Sequence, residues 1–377
     1  VQTLGLYLHI PFCEKRCNYC AFLTFDNQDK LRQRYVDYLK REIALHQDEK
    51  RLVDTVYFGG GTPSYLSAQQ MTELMDSVKR CFTVAEDAEI TIEMNPESVT
   101  REHLEAYLKS GINRFSMGVQ SFDDQVLKMM GRLHNKQTVF EKVALMKEMG
   151  CHNFSLDLMF SNPYQSMDVW EKDIANVIAL KPKHLSCYSL MYKPHTNFYK
   201  WRESGKITMV DDETDRKMYH LLQKELQKAG YHQYEISSFA LPHYEGKHNK
   251  KYWTQKDYLG LGLGASSNIR LKRFDNVDNF IAYFQAIDAG QLPIAADSVM
   301  ELSLEEKEQE YIILNMRLIE GVSIEEVNRK FGIDFLKKYD YAVQKHLKTG
   351  LLQLQDGRLK FTQLGLDVGN QFYLDII

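Results

Sequence analysis

The stretch "HIPFCEKRCNYCAF" (His9–Phe22) puts Cys13, Cys17 and Cys20 within eight residues, directly behind the apolar run "LGLYL". A disulfide framework fails, because three thiols cannot all pair. Six cysteines in a 377-residue chain, three of them bunched, also suit a reducing compartment. A redox pair would use Cys17 and Cys20 and leave Cys13 idle. Structural zinc takes four ligands, usually as two separated pairs. Three thiolates in one short loop can instead hold three irons of a [4Fe–4S] cluster, leaving the fourth iron open to an outside ligand. Cys81, Cys151 and Cys187 are scattered and read as core thiols.

The cysteine loop follows the first of six β-branched or aromatic runs: 4–10, 53–58, 89–94, 113–119, 153–159 and 184–190. Amphipathic stretches such as "RQRYVDYLKREIAL" and "QQMTELMDSVKRCF" lie between them, and Gly111 and Gly150 read as helix stops. This alternation predicts an α/β fold with a parallel sheet, either an open partial barrel or a doubly wound sheet. In both, chemistry sits at the carboxyl ends of the strands. From about Asp297 the pattern changes to three helices and a hairpin around Asp356-Gly357, which reads as a small winged-helix-like domain. The expected division is 1–296 and 297–377. The domain's second helix is of mixed charge ("EEVNRK"), so packing or docking is expected of it and nucleic acid is not. A net charge of -4 and a 44% hydrophobic composition fit a soluble, cytoplasmic protein without a polybasic face. No apolar run approaches the roughly 20 residues of a membrane span, and no signal peptide is recognised.

CxxxCxxC with an aromatic, Tyr19, before its last cysteine resembles the radical S-adenosylmethionine (SAM) superfamily. The flanking "YLHIPFCEKRCNYCAF" is similar to the branch that holds the oxygen-independent coproporphyrinogen oxidases and the HemW-like haem chaperones. The resemblance implies a partial (βα)6 TIM-like barrel with a cluster on Cys13, Cys17 and Cys20. It also implies SAM bound at the open iron through its amino and carboxylate groups, where an electron from the cluster splits it into methionine and a 5′-deoxyadenosyl radical. "YFGGGTPSYL" by itself is a tight turn before a Ser67-capped helix, and no GK[ST] ending makes it a phosphate loop. By resemblance, the backbone at Gly60, Gly61 and Thr62 receives the SAM amino group. Glu93, Gln120, Arg132 and Asp157, at or near strand ends, become SAM contacts, with Tyr7, Tyr19 and Met191 at further matching positions. An arginine suits the methionine carboxylate and an aspartate a ribose hydroxyl. "HNKKYW" (His248, Asn249, Tyr252, Trp253) is the haem-associated stretch of the HemW-like group, which makes His248 a candidate axial ligand.

Two departures separate the branches. Phe22 stands where the oxidase pattern CxxxCxxCxC has a fourth cysteine, and the sequence opens close to its first strand, without the oxidase's N-terminal segment. Both favour a haem chaperone carrying a cluster and SAM, whose partners are haem, an acceptor protein and an electron donor, with peripheral contact to membrane haemoproteins. The alternative is oxygen-independent coproporphyrinogen III dehydrogenation. A third departure is Ser266 in "GASS", where HemW-like sequences commonly carry histidine.

Overall fold

The computed structural model describes residues 3–377; residues 1 and 2 of the expected first unit lie outside the described residues. All six expected strands form: β1 (Leu4–Ile10), β2 (Asp48–Gly60), β3 (Phe82–Met94), β4 (Arg114–Gln120), β5 (Phe154–Phe160) and β6 (His184–Ser189). Six shorter ones follow: β7 (His232–Glu235), β8 (Ser238–Ala240), β9 (Tyr258–Leu261), β10 (Ser266–Ile269), β11 (Lys272–Asp275) and β12 (Met300–Glu301). They make one sheet in the order β12-β11-β10-β9-β1-β2-β3-β4-β5-β6-β8-β7. Neighbours from β9 through β6 run parallel, and the outer strands turn antiparallel. The order does not close on itself, so the barrel is partial.

Alternation along β1 shows what fills it. Leu4, Leu6, Leu8 and Ile10 are fully buried in the core, while Gly5, Tyr7 and His9 occupy the other face. Burying each such side chain contributes roughly 1.5–3 kcal/mol. Helices cover the outer face and start where the sequence supplies caps. Ser67 and Gln70 form a reciprocal capping box on Ala68–Cys81, and Thr100 caps Arg101–Ser110, which stops at Gly111 with φ 88°. The glycine-rich run 260–264 begins in strand, with Gly260 paired to Tyr7.

The C-terminal hairpin joins β14 (Leu352–Gln355) to β15 (Arg358–Phe361) through Asp356 (φ 52°) and Gly357 (φ 72°), with β13 (Val322–Ser323) on its other side. The third expected helix is split into Phe335–Lys338 and Asp340–Lys348, and two more follow it, Gln363–Val368 and Asn370–Ile376. This unit has its own core, from Tyr311 and Ile312 to Phe372. The seam with the barrel is interwoven. β12 lies past residue 296 and still pairs with β11, the Arg317 guanidinium sits 4.4 Å over the Trp253 ring, and Ile319 N–H donates to the Tyr234 carbonyl.

Candidate functional site

At the carboxyl ends of β2–β6 the barrel opens into a cavity of about 450 Å³. Cys13, Cys17 and Cys20 line it together with Tyr19, Gly60, Gly61, Thr62, Glu93, Gln120, Arg132, Asp157 and Met191, so all but two of the expected residues converge there. The cysteine loop is held in place by its backbone. Phe25 N–H donates to the Pro11 carbonyl, Cys13 N–H to the Phe25 carbonyl, and Asn18 N–H to the Met130 carbonyl. Cys13 Sγ accepts from the Thr62 hydroxyl at 3.4 Å, and Cys17 Sγ from Arg132 Nη1 at 3.6 Å. Burial pushes the Cys13 thiol up to about 11 and raises Cys20, so binding iron must drive their protons off. Among the described residues no group of three His, Cys, Asp or Glu is placed around a single metal ion, which leaves mononuclear zinc without support. Thiolates on a four-iron cluster stand farther apart than the ligands of one ion.

Glu93 is held by two hydrogen bonds. It accepts from the Tyr57 hydroxyl at 2.7 Å and from Gly60 N–H at 3.2 Å. Enclosure raises it to about 7, the Tyr57 bond partly offsetting the desolvation and Asp157 adding to it. Gly60 is required as glycine: its φ is +115°, and a Cβ would stand 2.6 Å from the His9 ring. The N–H groups at the end of the triple-glycine loop already have partners inside the protein. Those of Gly60, Gly61 and Thr62 are taken by Glu93, the Ile10 carbonyl and the Phe12 carbonyl. What the loop has to offer the N–H groups of an amine is carbonyl oxygen.

Arg132 bridges Asn95 Oδ1 (2.7 Å) and the Gly118 carbonyl (2.6 Å), yet its Nε is buried without a partner. Such an orphaned donor is costly unless something accepts from it, and a ligand carboxylate in the cavity would. Thr91 Oγ1 lines the cavity in the same condition. Asp157 is held by the Ser116 and Ser155 hydroxyls, and burial raises its pKa. Gln120 ends β4 at φ 68°, in the left-handed region, where a non-glycine residue costs energy and tends to mark a functional site.

Two expected contacts lie elsewhere. Tyr7 is outside the cavity lining; its ring stacks near Tyr57 and its hydroxyl meets His9 Nδ1 at 3.0 Å. His248 is fully buried, with Nδ1 2.8 Å from Thr55 Oγ1 and Nε2 2.8 Å from the Tyr252 hydroxyl. Burial also depresses its pKa to about 3. With both ring nitrogens bonded inside the protein, His248 is not available to iron in this arrangement, and Asn249, its neighbour, is what reaches the cavity. Sequence reasoning missed Asn95, Arg114, Ser116 and Ser155 on the lining. The period-two rule would have found some of them, since Ser155, Asp157 and Met159 share one face of β5 and all line the cavity.

Residues 7–175 match the radical SAM superfamily model and residues 302–368 the HemN C-terminal domain. The chain is 33% identical over 370 residues to heme chaperone HemW of Bacillus subtilis, covering 97% of each, and 38% identical over 274 residues to that of Escherichia coli, covering 71% of each. The solved structure of coproporphyrinogen III oxidase (HemN) from Escherichia coli superposes with a TM-score of 0.87 at 23% identity, over 100% of this chain and 90% of that one, a likeness of fold. A partial radical SAM barrel, the C-terminal domain model and 33% identity across 97% of the Bacillus subtilis relative agree: the chain belongs to the HemW family of radical SAM proteins.

Proposed function

We propose that this protein is a cytoplasmic haem chaperone that holds a [4Fe–4S] cluster on Cys13, Cys17 and Cys20, SAM in the adjoining cavity, and haem at the cavity mouth for delivery to an acceptor protein. The cluster, when bound, supplies a single electron at an open iron. Around it, Glu93 and the loop carbonyls would take the N–H groups of the SAM amino group, Arg132 would take its carboxylate through the unpartnered Nε, and Asp157 would face the ribose. The observation that carries the haem assignment is the mouth itself. Phe22 is 69% exposed there and Met191 63%, and the same rim carries Lys15, Arg16 and Lys193. Exposed large apolar groups on a cationic rim suit a flat, apolar dianion such as a porphyrin with two propionates. Since His248 is enclosed, axial ligation falls to the exposed loop after β6, where His195 lies four residues beyond Met191.

The second reading, coproporphyrinogen dehydrogenation, draws on the fold shared with HemN. Against it stands Phe22, which cannot supply the thiol that the oxidase pattern places there. One sample decides between them. Anaerobically reconstituted protein is titrated with haem and then assayed with coproporphyrinogen III, SAM and reductant. Near one-to-one haem binding without protoporphyrinogen formation is expected, with a Soret band that moves in His195→Ala. Turnover of coproporphyrinogen overturns the chaperone reading.

A further inference from the structure

The HNxxYW stretch forms a short helix, Lys247–Trp253, at the end of the barrel opposite the cysteine loop. Glu89, at the start of the inner part of β3, accepts from Lys247 N–H (3.0 Å) and His248 N–H (2.9 Å) and so pins the helix beneath the sheet. The Lys251 stem lies against Gly5, where a Cβ would come within 2.9 Å of it, and its ammonium meets Asp54 at 2.6 Å. His248 is locked by Thr55 and Tyr252 through its two nitrogens and by the Tyr252 ring edge-on at 5.2 Å. Its own ring stacks on Tyr57, centroids 5.0 Å apart and 28° between planes. Tyr7 flanks Tyr57 at 6.1 Å and 25°. The Tyr57 hydroxyl then holds Glu93, and Glu93 holds Gly60 N–H.

We infer that His248 is a positioning residue for the SAM subsite: it fixes the plane of Tyr57, and through the Tyr57 hydroxyl the orientation and ionisation of Glu93. The inference rests on the reading of the cavity as a SAM site. It gives the HNxxYW stretch a role that needs no contact with iron. A buried neutral imidazole suits the task, because it holds one charge state across the physiological range while stacking as a flat plate. Close approach is part of the design. A Cβ at Gly59 would stand 2.8 Å from the Tyr57 ring and 3.2 Å from the Glu93 carboxyl carbon, so only glycine lets the pair meet. The groups that face Glu93 are Tyr57 on β2, Tyr7 on β1, Asp157 on β5 and Tyr252 on the helix. Of these, Tyr57 favours its charged form by hydrogen bonding.

Loosening Tyr57 therefore raises the pH at which Glu93 ionises. In His248→Gln, which keeps polar partners for Thr55 and Tyr252 but loses the ring, SAM should bind about two- to fivefold more weakly at neutral pH. The midpoint of its affinity–pH profile should move up by about half to one unit. Tyr57→Phe should show the same shift, and the double variant should add little to either. His248→Phe, which keeps the ring and loses the nitrogens, should retain the wild-type midpoint even where thermal stability drops. SAM affinity is read by anaerobic calorimetry on reconstituted full-length protein, and the haem Soret band is recorded for each variant. An unchanged midpoint in both His248→Gln and Tyr57→Phe overturns the inference, as does a Soret band that moves in His248→Gln. Wild-type protein that binds no SAM removes the cavity reading and this inference with it, whereas normal wild-type binding with indifferent variants removes only the inference.

Discussion

Glu93→Gln isolates a single charge. Glutamine keeps the side chain's length and one carbonyl oxygen, so Tyr57 O–H or Gly60 N–H retains an acceptor and the fold should survive. In the ligand-free protein the carboxyl sits at about 7, held up by enclosure. The N–H donors of an iron-bound amino group favour its ionised form, so association below that pH expels a proton. The ionised fraction goes from about 0.9 at pH 8 to about 0.1 at pH 6, and wild-type SAM affinity should fall about tenfold over that span. In Glu93→Gln that slope should vanish, and affinity at pH 8 should drop on the order of ten- to a hundredfold, matching a hydrogen bond to a charged group worth about 1.5–3 kcal/mol. Stability carries the opposite sign. A carboxyl whose folded pKa lies above its unfolded value of 4.5 stabilises fully at low pH, and that contribution is lost as pH rises through about 7. The ligand-free glutamine variant should therefore be more stable than wild type at pH 8, by on the order of 1–3 kcal/mol, and not at pH 4. Calorimetry under argon in two buffers of different ionisation enthalpy counts the released protons, and thermal melts read the stability. A wild-type profile flat between pH 6 and 8, or a glutamine variant with the same slope, refutes the argument.

Replacing Cys13, Cys17 or Cys20 by Ala should abolish the iron–sulfur absorbance near ~400 nm, while replacing Cys81, Cys151 or Cys187 should leave it. Loss of the band in a folded variant of the second group would refute the ligand set. Lys15→Ser with Lys193→Ser should weaken haem binding several-fold, and more at low ionic strength, as for exposed charges meeting propionates; equal affinity at all salt concentrations would move the haem away from the mouth. A chain ended at residue 296 should unfold at lower temperature than the full chain, because it strips Gln255 of its Lys307 and Glu310 partners and Trp253 of Arg317. Unchanged melting would show that the seam carries little energy.

What the sequence made legible here is what it encodes locally. Cys13, Cys17 and Cys20 share one loop, so their joint purpose can be read from spacing alone. The six strand patterns and the Asp356-Gly357 hairpin are likewise short-range signals, and each formed where expected. The small outer strands β7 to β12 were not foreseen. Runs of two to four residues carry too little periodicity, and β9 carries a glycine because Gly260 must lie against the Ser266 backbone, where a Cβ would approach the carbonyl oxygen to 2.3 Å. The orphaned Arg132 Nε and the spent N–H groups of the glycine loop also escape one dimension, since each is defined by partners on other strands.

His248 shows the same limit at its sharpest. In the chain it is an imidazole beside aromatics, an arrangement that suits a haem iron as well as a packed core. Its real partners are Thr55, 193 residues away, and Glu89, 159 residues away on the next strand. Burial then decides the chemistry: a ring enclosed on both nitrogens has no lone pair left to offer, and its use must be mechanical. The exposed apolar groups obey the reverse logic. Phe22 and Met191 are mostly open to solvent, so they remain to be explained by what the mouth receives. A cavity whose floor is tied by hydrogen bonds and whose rim is apolar and cationic can keep a small charged ligand below while a large flat one is bound and released above.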